Sequence, residues 1–157
     1  MRKILFMITL IVVGCSSSDK PADLPKLYSC VVMVTQDGSP LPEATVEFIP
    51  VNSDNAKYRA ASVTGNDGKV SMKTYGFTGA PVGKYKIIIS KIINDDLEYA
   101  ENPSTGQKEI VNFKKYQTVE LKYSSEKTTP HEIEITGNNK NNQYVFDVGK
   151  AIKILIP

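Results

Sequence analysis

The sequence predicts an all-β domain. Three observations carry that reading: short apolar runs alternate with polar residues at a period of two, turn-forming residues separate the runs, and no long stretch carries an apolar stripe at helical spacing. With 157 residues, 41% of them hydrophobic and 23% charged, the chain is long enough for one domain with its own core.

The runs follow one another along the chain. Tyr28 to Gln36 is rich in β-branched and apolar residues, with Cys30, Val32 and Val34 on one face. Ala44, Val46 and Phe48 alternate with Thr45 and Glu47, and Val70 and Met72 alternate with Ser71 and Lys73. Tyr85, Ile87 and Ile89 make a further inward stripe, which leaves Ile88 on the other face to be covered by a neighbouring segment. Ile133 and Ile135 alternate with Glu132 and Glu134, and Tyr144 to Val148 forms the last of these runs. Between them, Asp37-Gly38 and Asn66-Asp67-Gly68 tolerate positive φ and predict hairpins, and Asn138 to Asn142 is a third turn-like cluster between the Ile133 and Tyr144 runs. Pro40, Pro42 and Pro50 cannot donate to a ladder and mark strand ends.

One region breaks the pattern. Residues 92–120 read as a long polar insert, with Asp95 to Glu101 suited to one or two helical turns that Pro103, Ser104, Thr105 and Gly106 would end, and a strand or packed loop at Ile110 to Val119. An insert of this kind is either a binding loop or a mobile one. At the far end, Lys150 to Pro157 is suited to an added edge strand.

The N-terminus has a different character. Met1-Arg2-Lys3 is basic, and the apolar run Ile4 to Val13 is half the roughly 20 residues that a spanning helix needs, so it reads as an export signal. The run closes on Gly14-Cys15 and turns polar at Ser16-Ser17-Ser18-Asp19-Lys20. These residues resemble a bacterial lipoprotein signal peptide with its lipobox. The resemblance implies a signal over residues 1–14, acylation of the Cys15 thiol, and Cys15 as the first residue of the mature chain. The competing readings are a secretory signal with a chance cysteine, or an uncleaved anchor. Two or three acyl chains, at about 0.8 kcal/mol per buried methylene, hold a protein durably where one does not. By the same resemblance Ser16, in place of an aspartate, favours the outer membrane where a cell has one. Residues 15–27, with Pro21 and Pro25, then read as a lipidated cysteine and flexible tether, whose dozen residues reach at most about 40 Å.

Charge and cysteine use narrow the function classes. Removing Arg2 and Lys3 from the 19 basic residues leaves as many as the 17 acidic ones, with lysines scattered among them, so nucleic acid is a poor partner. One histidine and two cysteines supply neither a disulfide framework nor a His/Cys metal site within one copy. Cys30 reads as a small buried hydrophobe, because a nucleophile needs a base and His131 lies in another segment.

Four stretches carry a second resemblance. Thr35 to Phe48, Ala61 to Val70, Gly79 to Ile87 and Lys122 to Pro130 are similar, in that order, to bacterial carboxypeptidase regulatory-like domains of the transthyretin-like (prealbumin-like) superfamily. The likeness covers roughly residues 28–149 of a domain placed at 28–157, and it implies a seven-stranded antiparallel Greek-key β-sandwich. It does not bring the superfamily's hydrolase chemistry. That chemistry uses histidines with an arginine and a Tyr-Arg-Gly-Ser end, whereas this chain has His131, one mature arginine, Arg59, and an Ile154-Leu155-Ile156-Pro157 end. No His-Glu-x-x-His occurs either.

The remaining candidates are weaker. Asp54, Asp67, Asp95 and Asp96 could hold Ca²⁺ with backbone carbonyls but lack an EF-hand spacing, and solvated turns explain them as well. Tyr58, Tyr75 and Phe77 suit either an aromatic platform for a sugar or peptide or ordinary packing. The expectation is therefore a lipid-anchored envelope lipoprotein with a non-catalytic binding or structural module. It would have no cofactor, Cys15 in the membrane, and a glycan or protein partner. The alternatives are a hydrolase-like or metal-dependent site in the 92–120 insert, and an assembly subunit acting by strand pairing.

Overall fold

A computed structural model describes residues 20–52 and 56–157. Among them there are strands and two single-turn 3-10 helices but no α-helix. The strands are β1 (Val31–Gln36), β2 (Ser39–Pro40), β3 (Thr45–Pro50), β4 (Ala60–Val63), β5 (Lys69–Ser71), β6 (Lys73–Thr74) and β7 (Phe77–Thr78). They continue with β8 (Gly83–Ser90), β9 (Ile92–Glu101), β10 (Lys108–Gln117), β11 (Glu132–Ile135), β12 (Gln143–Asp147) and β13 (Ile154–Ile156).

One sheet runs β11-β8-β3-β4-β6-β7; a second places β12 on one edge of β1 and β2 and β5 on the other. Pairing is antiparallel throughout except between β1 and β12, which run parallel with Val32 opposite Tyr144 and Val34 opposite Phe146. The inward stripes of both sheets meet in one core: Val32 and Val34 from β1, Val46 and Phe48 from β3, Ile87 and Ile89 from β8, and Ile135 from β11. This is an arrangement consistent with a β-sandwich. Each fully buried side chain of this size contributes roughly 1.5–3 kcal/mol relative to exposure, which is why the stripes fix the register. Ile88, on the other face of β8, is half-buried.

Turn chemistry acts in two ways. Asp37 (φ 51°) and Gly38 (φ 75°) close a two-residue turn with positive φ at both positions, and β1 and β2 pair across it as a hairpin. The other predicted hairpin is instead a crossover, and so is the turn at Asn138 to Asn142. Asn66-Asp67-Gly68 carries the chain from β4 in one sheet to β5 in the other, and Asn138 to Asn142 carries it from β11 to β12. Burial explains both. The 65–69 turn is closed by its own bonds, Gly68 N donating to Gly65 O and Gly65 N to Lys69 O, and a Cβ on Gly68 would lie 2.6 Å from the Val34 carbonyl. Asn142 is fully buried: its Oδ1 accepts from Thr136 N (3.0 Å) and its Nδ2 donates to Thr136 O (3.1 Å), holding the second crossover shut.

The tight turn before β3 has a similar lock. Thr64 Oγ1 donates to Leu41 O (2.7 Å) and accepts from Ala44 N (2.9 Å), with Thr64, Leu41 and Ala44 all buried. Chain entry to the domain is also packed. The sequence expects a tether over 15–27, yet Leu24 is buried, and Tyr58 donates its hydroxyl to Asp23 O (2.6 Å) while Lys57 forms an ion pair with the Asp23 carboxylate. The exposed ion pair holds the Asp23 carboxyl below its ordinary range, chiefly through the Lys57 hydrogen bond.

Residues 92–120 are not a loop. The helical turns expected over Asp95 to Glu101 give way to β9, which pairs along its length with β10; β13 then adds to the outer edge of β10 as a third strand. Asn102 to Gln107 form the connecting turn. Asn102 Oδ1 accepts from Ser104 N (2.9 Å) and Asn102 O from Gly106 N (2.8 Å), so the residues read as helix terminators are turn formers.

Candidate functional site

The residues weighed for catalysis are held in packing. Cys30 is fully buried between the sheets, and burial pushes its thiol up to about 12, so it is no thiolate at neutral pH. His131, half-buried, stacks on the Tyr123 ring (centroids 5.2 Å apart, planes 11° apart) and tilts against Phe146 (4.7 Å). Burial lowers its pKa, partly offset by a hydrogen bond to the Asp147 backbone, and its Nε2 has no hydrogen-bond partner. Tyr58 and Tyr75 meet edge to face at 6.3 Å, but Tyr58 is buried, so the two form a packed corner rather than an open platform. Tyr75 sits at the exposed tip of the β6–β7 hairpin and donates to Lys57 O (2.8 Å), and Phe77 is half-buried.

The acidic candidates do not converge. Asp67 Oδ1 accepts from Lys69 N within its own turn (3.0 Å). Asp95 and Asp96 lie together on the β9–β10 hairpin but are tied to cations: Lys153 Nζ lies 2.7 Å from Asp95 and 4.0 Å from Asp96, and Lys114 Nζ 3.4 Å from Asp96. The Tyr116 hydroxyl donates to Asp96 as well, and both carboxyls lie below their ordinary range, Asp95 through Lys153 and Asp96 through Tyr116. Among the described residues no group of three or more His, Cys, Asp or Glu is placed to hold a metal ion. Cys15 and Asp54 lie outside the described residues.

What the structure brings out instead is the two-faced character of the hairpin. One face is polar. Asp95 opposes Lys114, Asn112 donates to Glu98 (3.2 Å), and Lys153 lies 4.3 Å above the Tyr116 ring. Phe113 sits between Asn112 and Lys114, and Leu97 between Asp96 and Glu98, so alternation turns both to the opposite face. Tyr99, Ile110 and Val111 join them there, because Tyr99 follows Glu98, Val111 precedes Asn112, and Ile110 pairs with Tyr99. The register shift between Ile110 and Asn112 keeps these five apolar residues together on one side, and the one between Asn112 and Lys114 sets Asp95 and Asp96 side by side on the other.

All five are exposed, from 40% for Leu97 to 62% for Val111. Sequence reading anticipated a strand at Ile110 to Val119 but missed this face, because the irregularities break the period of two that shows which side chains share a side. A signal was there in the turn cluster Asn102 to Gly106 between two β-rich runs. A second, smaller apolar feature is a shallow hollow of about 450 Å³ on the outer face of the β12–β1–β5 sheet, lined by Val31, Met33, Tyr144 and Val145 with Lys69.

The hairpin and the chain entry lie at opposite ends of the body. Tyr28 bridges to Ala80 just before β8 begins, whereas β9 leaves directly after β8 ends. Eight residues of β8 separate the two, about 25 Å at strand rise. No protein-family model matches the chain, and neither a curated protein nor a solved structure matches it.

Proposed function

We propose that the protein is a lipid-anchored lipoprotein of the cell envelope, at the outer membrane where the cell has one, whose β-domain is a non-catalytic binding or structural module. The observation that carries this reading is the basic start and ten-residue apolar run that closes on Gly14-Cys15 and turns polar at once. In this reading acylation of Cys15 supplies the attachment to the membrane. The domain follows the transthyretin-like plan of the carboxypeptidase regulatory-like family, with a seven-stranded Greek-key core to which the hairpin and β13 are additions. The order of the four similar stretches and the shared core of two sheets support that plan.

The non-catalytic reading rests on chemistry. Cys30 is inert by burial, His131 is enclosed by two rings, and the acidic pair on β9 is neutralised by Lys114 and Lys153. Leu24 and Asp23 are seated near the start of β8 and the hairpin follows its end, which supports a domain whose hairpin tip lies away from the anchored end of the chain, with the apolar face turned sideways.

Cys15→Ser in the full-length chain tests the anchor. The expected result is loss of detergent-phase partitioning together with accumulation of uncleaved precursor. Unchanged partitioning and a processed, unmodified amino terminus by mass spectrometry would refute it.

A further inference from the structure

We infer that the apolar face of the β9–β10 hairpin is a self-association surface, on which a second copy of this chain packs its own hairpin face to face about a two-fold axis running along the strands. The five side chains on that face are 40% (Leu97), 57% (Tyr99), 53% (Ile110), 62% (Val111) and 43% (Phe113) exposed. Together they present on the order of 500 Å² per copy, or roughly 1,000 Å² for two copies, which reaches the area a biological interface must clear, and the rim residues carry it towards the roughly 1,200 Å² of a stable one. A hairpin is marginal in water on its own, and here only the short strand β13, at the base of β10, extends the ladder. Leu97 lies five residues beyond Ile92, roughly 17 Å along the strand, so the face stands clear of the sandwich.

Charge selects the occupant and its orientation. At the outer rim of the face, Glu101 on β9 stands directly opposite Lys108 on β10. A two-fold axis along the strands lays β9 of one copy over β10 of the other, so each Glu101 meets the Lys108 of its mate. An axis across the strands would instead lay Lys108 over the Lys115 side of the base, a like-charge contact. Edge pairing through β9 is also disfavoured, because that strand carries Asp95, Asp96, Glu98 and Glu101 and is distorted at Asp96 (φ 50°). The two-fold axis runs in the same direction as the line from chain entry to hairpin tip. If both copies are anchored as proposed above, they stand side by side on one bilayer.

The test is the mass of the full-length protein in mild detergent, measured by light scattering with the detergent subtracted. It reads pairing whether or not Cys15 carries lipid, so its failure leaves the anchor untouched. The parent protein is expected at twice the protomer mass and Phe113→Asp at the protomer mass. Glu101→Lys and Lys108→Glu, each alone, set like charges across the axis and are expected to be single chains. Mixing the two in equal amounts restores complementary rims and is expected to return the two-chain species. This mixing readout does not depend on Phe113→Asp folding. A parent of protomer mass overturns the proposal, whether it stays free, binds vesicles or is captured by a different protein. So does a two-chain parent whose mass is unmoved by both rim reversals.

Discussion

Thr64→Val is the sharpest test of how the body is held together. The substitution keeps the side-chain shape and removes one hydroxyl, which both donates to Leu41 O at 2.7 Å and accepts from Ala44 N at 2.9 Å. Ala44 is fully buried and Leu41 nearly so, so water does not reach the two orphaned backbone groups. At about 1–3 kcal/mol for each buried group left without a partner, the gross loss is about 2–6 kcal/mol; the added methyl returns about 1 kcal/mol, leaving about 1–5 kcal/mol of destabilisation. Thr64→Ser retains the hydroxyl and forfeits only a methyl, so it should cost about 1 kcal/mol. The assay is urea unfolding followed by circular dichroism at one fixed protein concentration, comparing midpoints at equal slope. If Thr64→Val matched Thr64→Ser, the hydroxyl would not be the lock on the 41–44 turn, and that reasoning would be wrong.

Three further outcomes are expected. Gly68→Ala should cost more than Gly38→Ala: both positions have positive φ, but only at Gly68 does the new Cβ meet a carbonyl, at 2.6 Å, so about 1 kcal/mol is expected at Gly38 and more at Gly68, measured by the same unfolding assay. Burial depresses the His131 pKa, so the unfolded chain takes up a proton where the folded chain does not. Stability therefore falls as pH drops from the ordinary histidine value, about 6.5, towards the depressed folded one, and levels off below it. His131→Phe should flatten that part of the pH profile relative to the parent, and an identical slope in the two would count against the assignment. In the Cys15→Ser protein, the Cys30 thiol, pushed up to about 12, should resist an aromatic disulfide reagent at pH 8 until denaturant is added, whereas immediate titration would mean that the site opens.

The stripes of the body were legible because burial on one face imposes a period of two. Cys30-Val32-Val34, Ala44-Val46-Phe48 and Tyr85-Ile87-Ile89 all lie in the core as read. Turn residues were legible as turns but not as connections. Asp37-Gly38 closes a hairpin and Asn66-Asp67-Gly68 does not, because local chemistry fixes the bend while the core decides which sheet receives the next strand. Asn142 and Thr64 were invisible as locks, since their roles depend on partners that only the folded chain brings within reach. Of the hairpin, β10 answers to the strand expected at Ile110 to Val119, whereas β9 was hidden for a different reason. Neither of its faces is buried in the body, so the alternation that marks a half-buried strand was never imposed on its sequence, and the two ladder irregularities scrambled what remained.

That last point bears on what the hairpin is for. A sequence with no contact to satisfy would be expected to place polar residues on both faces of a protruding ladder, as its charged face does with Asp95, Lys114, Tyr116 and Lys153. The other face instead gathers Leu97, Tyr99, Ile110, Val111 and Phe113, and the register shift between Ile110 and Asn112 is needed to bring Ile110 to the side of Phe113. Shifts that disturb a ladder without adding burial within one copy are a cost to that copy. The irregularity at Asp96, together with the acidic side chains of β9, spoils the β9 edge for strand addition. A hairpin that blunts its β9 edge while leaving an apolar face open is suited to association through the side chains of that face.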